Sequence, residues 1–180
     1  VNQACRSVIS PDTYLPTNGL CLSTKFASRL TFPESLSFNS EERKTFLVRC
    51  IRNGTTKYPG ASHIEIILRE GNTQTLSLKG KEELSLSRIA DRMLKNVILG
   101  YNVIIHRHIV TGDMIVLNRQ PTLHRSSMIA QKAIVMGKAH TMRFHYANCK
   151  GFNADFDGDE MNCHVPQGVK CRAELQCLME

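Results

Sequence analysis

The sequence predicts an α+β fold with a strand-rich C-terminal half, and three observations indicate it. Apolar residues repeat at helical spacing in residues 41–53 and again in residues 82–99. Residues 62–82 are rich in β-branched residues and leucine, which is typical of strands. From residue 103 onward the helical period disappears, and residues 101–167 contain short apolar runs parted by turn residues.

The N-terminal elements follow from turn and capping residues. Residues 6–9 and 20–22 are short apolar runs between proline and asparagine turns, so they are predicted strands. The segment at residues 33–52 is predicted to begin with a loop. Ser40 is then a suitable N-cap for a helix that Asn53-Gly54 ends.

The later elements are mostly strands. Glu70-Gly71-Asn72 is predicted to be a hairpin turn, and residues 82–99 to be the second helix. Residues 106–110 alternate up to Thr111-Gly112-Asp113, which predicts a hairpin with the apolar run 114–117. Residues 129–135 and 141–146 are further predicted strands. The two loops that carry polar motifs, described below, are both expected to leave strands.

Composition limits the class of protein. A length of 180 residues allows one domain with a real core. The net charge of +7 and the pI near 9.2 fit a surface that meets nucleic acid. No apolar stretch approaches the roughly 20 residues that cross a bilayer, and no signal peptide is visible, so no membrane partner is expected. The chain begins inside a motif, and we expect it to be a piece of a longer polypeptide.

Seven cysteines form no C-x-x-C pair and no spacing typical of structural zinc sites. We therefore expect reduced, mostly buried thiols. His106 and His108 look like a metal-binding pair, but strand alternation, with both rings on one face, is the simpler interpretation.

Residues 153–162 are the most informative segment of the chain. Asp155, Asp157 and Asp159 stand two residues apart, and a turn at Gly158 can bring their carboxylates to one point. Such carboxylates need a cation, and an all-oxygen ligand set suits Mg²⁺. An EF-hand loop starting at Asp155 would need glycine and glutamate where Glu160 and Pro166 stand, so a calcium loop is excluded.

This segment resembles the active-site loop of the largest subunit of multisubunit DNA-directed RNA polymerases. Two further segments resemble motifs of the same family, namely Asn118-Arg119-Gln120-Pro121-Thr122-Leu123-His124 and residues 1–12. Residues 145–149, and Asn53-Gly54 followed by residues 58–61, are most similar to the nucleolar class that transcribes ribosomal RNA, RNA polymerase I.

The resemblance implies a double-psi β-barrel in one active-site domain, residues 1–180. The barrel would be built from about residues 1–30 and 101–180, with an inserted helical segment at about residues 31–100. It also implies Mg²⁺-dependent addition of ribonucleoside triphosphates to an RNA 3′ end on a DNA template, with the second-largest and smaller polymerase subunits as partners. The location would be the nucleus and its nucleolus. The 180-residue chain alone is expected to be inactive.

The resemblance also implies roles for individual residues. Asp155, Asp157 and Asp159 would be the catalytic metal ligands, and Glu160 is interpreted as lying outside the metal's direct ligands. Arg119 and Asn153 would bind the substrate, because a guanidinium and an amide can both hydrogen-bond sugar hydroxyls. Arg6 would contact the template backbone.

Some assignments stay open at this point. A packed or backbone-bonded side chain is expected for His124 rather than a catalytic one. Five other basic residues are expected to mix nucleic-acid contacts with plain surface charges: Arg125, Lys132, Lys138, Arg143 and Lys150.

Two alternative functions remain. A silencing-type RNA-dependent RNA polymerase carries a similar aspartate loop but lacks the segment at residues 118–124. A basic nucleic-acid-binding module with a decayed site would not need to keep all three aspartates.

Overall fold

The computed structural model describes residues 4–121, 123–124, 127–137 and 141–179. The chain divides into two compact units. Residues 1–30 and 109–180 form the first, here named the barrel unit, and residues 31–108 form the second, named the sheet unit. In the described ranges no helix is both long and apolar enough to cross a membrane.

The elements in chain order are β1 (Ala4–Pro11), β2 (Gly19–Ser23), α1 (Thr24–Ala27), β3 (Thr31–Ser35), α2 (Glu41–Asn53), β4 (Ala61–Ile67), β5 (Thr73–Ser77), α3 (Glu83–Ile98), β6 (Asn102–His108), β7 (Met114–Asn118), β8 (Met128–Met136), β9 (Met142–Phe144), a 3-10 helix (Tyr146–Asn148), α4 (Cys149–Phe152), β10 (Glu160–His164) and α5 (Val169–Met179).

The barrel unit is a closed six-stranded barrel in the order β1-β10-β7-β8-β2-β9. The pairs β1–β9 and β2–β8 are parallel, and the other described pairs are antiparallel. Several of its strands carry fully buried apolar side chains, among them Leu20, Leu117, Phe144 and Met161. The prediction of a strand-rich α+β fold with a barrel of the double-psi type is confirmed.

The sheet unit contains an antiparallel sheet in the order β3-β6-β4-β5 and the helices α2 and α3. One sheet face contributes Ile64 and Ile105 to a buried core, and the helices contribute Leu47 and Met93. Ser40 caps α2 through its hydroxyl, as predicted, by accepting a hydrogen bond from the Arg43 amide. The two helices predicted for this region are present, and four strands accompany them.

Two local predictions are corrected by strand pairing. Pro33 lies in β3 and not in a loop, and an edge strand tolerates proline because one side of it needs no ladder hydrogen bonds. β6 and β7 do not form a hairpin, because both edges of β6 are already paired, one with β3 and the other with β4. β7 instead pairs with β8 and β10.

All seven cysteines are free thiols, as expected. Cys21, Cys50, Cys149 and Cys163 are buried. Cys5 lies opposite Cys163 across the β1–β10 pair.

A buried ion pair ties together the sheet unit. The Arg107 guanidinium is fully buried, and its Nε lies 2.5 Å from Oε2 of Glu34. Arg43 donates to both carboxylate oxygens of Glu34, at 2.6 and 2.9 Å. Burial alone would raise the pKa of Glu34, but the hydrogen bonds and charges of the two arginines outweigh it and lower that pKa.

Replacing Glu34 by glutamine should therefore destabilise the fold by about 3 kcal/mol, because it leaves the buried Arg107 charge uncompensated. Because folding lowers the pKa of Glu34, its contribution to stability is fully present above the pKa of the unfolded state, roughly 4.3. That contribution is lost as the pH falls through the pKa of the folded state. Urea unfolding at several pH values measures both effects. Glu41→Gln is the matched control, since Glu41 pairs with Lys44 at an exposed site. Equal losses of stability in the two variants would contradict the prediction.

Candidate active site

The pairing of three strands brings the two polar motifs together. In β10, Asn162 lies opposite Arg6 of β1 on one side and opposite Asn118 of β7 on the other. The loop at residues 153–159 leads into β10, and the segment from Arg119 leaves β7. Because β7 and β10 are antiparallel, the end of one strand lies beside the start of the other.

The aspartate loop begins at a helix end. The helical turn α4 stops at Asn153, which adopts the left-handed conformation with φ 51° and ψ 42°. Asparagine tolerates this conformation better than most residues with a side chain, and it is a frequent helix terminator. The prediction that both motif loops leave strands is therefore wrong for this one, which leaves a helix and enters a strand.

The three aspartates converge as predicted. One carboxylate oxygen from each of Asp155, Asp157 and Asp159 lies within 4.8 Å of the other two. Gly158 has φ 114°, a value that side chains rarely allow, so the turn depends on a glycine at this position. The amide of Ile9 in β1 donates to the Asp159 carbonyl at 3.1 Å, which fixes the end of the loop to the barrel.

The carboxylates change each other's protonation. Hydrogen bonding with Asp157, and then with Asp159, raises the pKa of Asp155 to about 6. The pKa of Asp159 is lowered, first by the Asp155 amide, which donates to its Oδ2 at 3.3 Å, and also by Arg119. The three carboxylates therefore repel one another when all are ionised, and a bound cation would remove this repulsion.

Arg119 lies against the aspartate loop. Its Nε and Nη2 donate to Oδ2 of Asp159 at 3.3 and 3.1 Å. Both side chains are about three-quarters buried, with exposed fractions of 24% and 23%. The sequence motif placed Arg119 at the site, but nothing in the sequence indicated an ion pair with one of the proposed metal ligands.

The other predicted residues occupy different surroundings. Asn153 is exposed at the start of the loop, and His124 is exposed in the segment after β7. Arg6 forms an ion pair with Glu160, with Nε and Oε2 2.7 Å apart and both side chains substantially exposed.

Three other basic residues named from the sequence lie at the surface or in a surface ion pair. Nη1 of Arg143 lies 3.8 Å from Oδ2 of Asp12, while Lys132 and Lys150 are exposed. Residues 1–3, Thr122, Arg125 and Lys138 lie outside the described residues.

An aromatic cluster packs against the aspartate loop, and the sequence analysis did not identify Phe156 as part of it. Phe156, between the first two aspartates, packs against Phe144 of β9 and Tyr146, with ring centroids 5.8 and 6.1 Å apart. Phe152 meets Phe144 edge to face at 5.9 Å. The alternation of aspartate with Phe156 was the available signal, because alternate residues of an extended segment point to opposite sides.

The site fits a hard divalent cation. Its donors are all carboxylate oxygens, it is open to solvent at Asp155 and Asp157, and its charges repel one another without a counterion. Mg²⁺ is usually bound by a few carboxylates and keeps several waters or substrate oxygens as its other ligands. The arrangement can therefore hold a cation while leaving ligand positions free.

The chain is similar to known proteins over its whole length. The family model described as RNA polymerase Rpb1, domain 2, matches residues 1–180. The chain is 44% identical to the DNA-directed RNA polymerase I subunit RPA1 of Trypanosoma brucei brucei over 180 residues, which is 100% of this chain and 10% of that protein. It is 42% identical to the corresponding subunit of Schizosaccharomyces pombe, over 98% of this chain and 11% of that protein.

The chain is also similar to an archaeal polymerase subunit. The DNA-directed RNA polymerase subunit Rpo1N of Methanococcus vannielii is 38% identical over 99% of this chain and 19% of its own length. The chain thus spans about a tenth of the length of these two polymerase I relatives and about a fifth of the archaeal one. With a family model that matches every residue and relatives aligned over almost the entire chain, the protein belongs to the family of domain 2 of the largest subunit of multisubunit DNA-directed RNA polymerases.

Proposed function

We propose that this chain is the active-site domain of a DNA-directed RNA polymerase and that Asp155, Asp157 and Asp159 hold its catalytic Mg²⁺. The observation that carries the proposal is the convergence of three carboxylates within 4.8 Å on a loop of the barrel. In this proposal the sheet unit is an insertion in a single domain formed by the barrel unit. Family membership supports the reaction class, since the relatives are named as DNA-directed RNA polymerase subunits.

The proposed reaction joins an RNA 3′-hydroxyl to the α-phosphorus of a ribonucleoside triphosphate. A bound Mg²⁺ would supply charge neutralisation at the reacting oxygens. The chain's own task is to hold the carboxylates in a fixed arrangement, which Gly158, the aromatic packing of Phe156 and the Ile9 hydrogen bond support. A preformed arrangement does not have to reorganise during the reaction.

Arg119 and Asn153 are proposed to bind the incoming nucleotide. The ion pair with Asp159 keeps the Arg119 guanidinium beside the carboxylates, where it can donate to the sugar or phosphate of a substrate. Asn153 is exposed two residues before Asp155, and its left-handed backbone fixes the direction in which its side chain leaves the loop. An amide can both donate to and accept from a ribose hydroxyl.

Arg6 is proposed to contact the backbone of the nucleic acid. Its side chain is 61% exposed, so a phosphate can approach it, and its partner Glu160 is exposed as well. An exposed ion pair contributes little to stability, and exchanging Glu160 for a phosphate would therefore cost little. Glu160 pairs with Arg6 and is not part of the cluster of aspartate oxygens, which supports its place outside the direct ligands of the metal.

The wider setting is proposed from the relatives. Ribosomal RNA synthesis in the nucleus, with the nucleolus as the site, is proposed for the chain, and its similarity to RNA polymerase I subunits supports this setting. A DNA template, nascent RNA, and the second-largest and smaller subunits would be its partners. The 180-residue chain alone should not extend a primer, because a nucleic-acid channel requires surfaces that a tenth of the subunit does not supply.

Selectivity for ribose tests the substrate assignment. Asn153→Ala should lower the preference for ribonucleotides over 2′-deoxynucleotides about tenfold or more, since a lost hydrogen bond costs roughly 1–3 kcal/mol. A site that bonds a hydroxyl discriminates against the analogue without it, so ribonucleotide addition should slow while deoxynucleotide addition changes little. The measurement is single-nucleotide addition on a DNA template by the assembled enzyme.

The control for this experiment is Asn72→Ala, in the exposed turn between β4 and β5. It should leave both rates unchanged. If Asn153→Ala slows both nucleotides equally, Asn153 acts on the aspartate loop and not on the sugar, and the substrate assignment is wrong.

A further inference from the structure

A second cluster of metal-binding side chains lies in the sheet unit, on the sheet face opposite to its hydrophobic core. It consists of His63 and Glu65 of β4 and His106 of β6, and one ligand atom from each lies within 4.8 Å of the other two. All three side chains are partly buried. None of them belongs to the polar motifs at residues 118–124 and 153–162.

A β-bulge creates this cluster. Ala61 lies opposite Arg107, but the next aligned pair is His63 with His106, so Ser62 is an extra residue in β4. Without this bulge, Ser62 would face His106 and His63 would point to the core side of the sheet. The bulge therefore places two imidazoles directly opposite each other, and Glu65 follows on the same face two residues later.

The contacts of His106 are unusual for a buried polar group. Its side chain is 13% exposed, and Nε2 lies 3.2 Å from Oε1 of Glu65. The distance suits an ion pair, yet the direction does not meet hydrogen-bond geometry, and Nε2 is buried without a hydrogen-bond partner among the described residues. The Glu65 carboxylate is therefore the partner of this nitrogen at ion-pair distance, and the poor hydrogen-bond direction leaves the nitrogen available to a ligand.

The spacing suits two ligands of one metal ion. Ligands at about 2.0–2.1 Å from a tetrahedral Zn²⁺ lie roughly 3.3 Å from one another, close to the separation of His106 Nε2 and Glu65 Oε1. The His63 ring stacks on the His106 ring, with centroids 3.9 Å apart and planes 16° apart. Because ring nitrogens bind a metal in the plane of the ring, the His63 ring would have to turn out of this stack to share the ion, and its ligand atom already lies within 4.8 Å of those of His106 and Glu65.

The residues around His63 favour its role as a metal ligand. The Ser62 hydroxyl lies 2.8 Å from Nδ1 of His63, which leaves Nε2 of that ring to bind. A hydrogen bond to the second nitrogen of a ligating histidine is the usual way in which a protein orients the ring. On β5 the partners of His63 and Glu65 are the small residues Ser77 and Thr75, which leave room for the ring to turn.

We propose that His63, Glu65 and His106 bind one Zn²⁺ ion, with the fourth position open to solvent. Two imidazole nitrogens and one carboxylate form a known zinc ligand set, whereas Mg²⁺ prefers oxygen alone. The ion would join β4 to β6 and stabilise the sheet unit. This proposal is independent of the Mg²⁺ assigned to the aspartates, which lie in the barrel unit.

Zinc titration of the full chain under reducing conditions, in competition with a chromophoric chelator, tests the proposal. Removing one ligand should weaken this site about 100-fold or more, and Ser62→Ala about tenfold. The variants are His63→Gln, Glu65→Gln and His106→Gln, which keep similar side-chain volumes. His145→Gln is the matched control, because His145 is a partly buried histidine outside the cluster. Since all variants keep every cysteine and aspartate, the difference between them and the unsubstituted chain isolates this site.

NMR of the histidine ring nitrogens gives a second readout that needs no variant. Zn²⁺ should shift one nitrogen of His63 and Nε2 of His106 at one equivalent, and the other histidines much less. Zinc should also raise the melting temperature of the unsubstituted chain but not that of His106→Gln. The proposal is overturned if His106→Gln binds as many zinc ions with the same affinity as the unsubstituted chain, or if the ring nitrogens of His63 and His106 do not respond.

Discussion

Replacing Asp157 by asparagine in the assembled polymerase should abolish elongation while leaving assembly intact. The substitution keeps the volume of the side chain and removes one of the three charges that are proposed to hold the cation. It also removes a carboxylate whose hydrogen bond raises the pKa of Asp155, so the loop loses repulsion and folding is not harmed. Polymerase mutants that lose a metal ligand should lose several orders of magnitude in rate, since the metal supplies most of the charge stabilisation.

The elongation rate on a DNA template and the subunit composition of the purified enzyme are the two measurements. Asp91→Asn is the control, because Asp91 is an exposed aspartate whose ion pair with Arg52 is long, at 3.7 Å. Elongation at near the unsubstituted rate by the Asp157→Asn enzyme would show that the metal assignment is wrong.

Replacing Gly60 by alanine should unfold the sheet unit or destabilise it by about 3 kcal/mol or more. A Cβ at this position would overlap the carbonyl oxygen of Gly54 and lie 2.6 Å from that of Lys57. Both obstacles are backbone atoms, which cannot turn away as a side chain would. Gly60 also exchanges two hydrogen bonds with His108, so a shift of its backbone would break contacts with β6.

Thermal unfolding followed by circular dichroism measures this effect. Gly137→Ala is the matched control, because a Cβ there meets nothing within 4 Å and the backbone does not need a positive φ. The control should change stability by less than about 0.5 kcal/mol. Equal stability of the Gly60→Ala and Gly137→Ala chains would mean that the backbone around Gly60 can rearrange at little cost.

Local patterns predicted the helices and the acidic loop well. α2 and α3 were predictable because each has an apolar stripe at helical spacing, and Ser40 and Gly54 mark the ends of α2. The convergence of the aspartates was predictable because Gly158 lies among them and like charges need a shared counterion. Both inferences use residues that are neighbours in the sequence.

Pairing between distant segments could not be predicted in the same way. The alternation of residues 106–117 suggested a hairpin, but β6 has both edges occupied and β7 belongs to the barrel. The closure of that barrel depends on pairs such as β1 with β10 and β2 with β8, which local periodicity does not encode. The resemblance to a known family supplied the barrel, and periodicity alone supplied only the strand content.

The same limit applies to the sites. The ion pair of Arg119 with Asp159 depends on the register of β7 against β10. His106 and His108 were interpreted as alternating residues of one strand rather than as a metal-binding pair, and the partners of their rings were not predicted. In the structure His106 stacks on His63 and His108 stacks on Tyr58. A single bulged residue, Ser62, decides that outcome, and the sequence gives no sign of the bulge.

Binding of Mn²⁺ to the assembled enzyme, measured by electron paramagnetic resonance, tests most directly whether the three aspartates hold one divalent cation. We expect one ion to be lost from each of Asp155→Asn, Asp157→Asn and Asp159→Asn and retained by Asp91→Asn. Since the Asp155 pKa of about 6 means that a proton competes with the metal, binding should weaken about tenfold one pH unit below that value. Retention of the ion by all three active-site variants, with no weakening at low pH, would contradict the assignment.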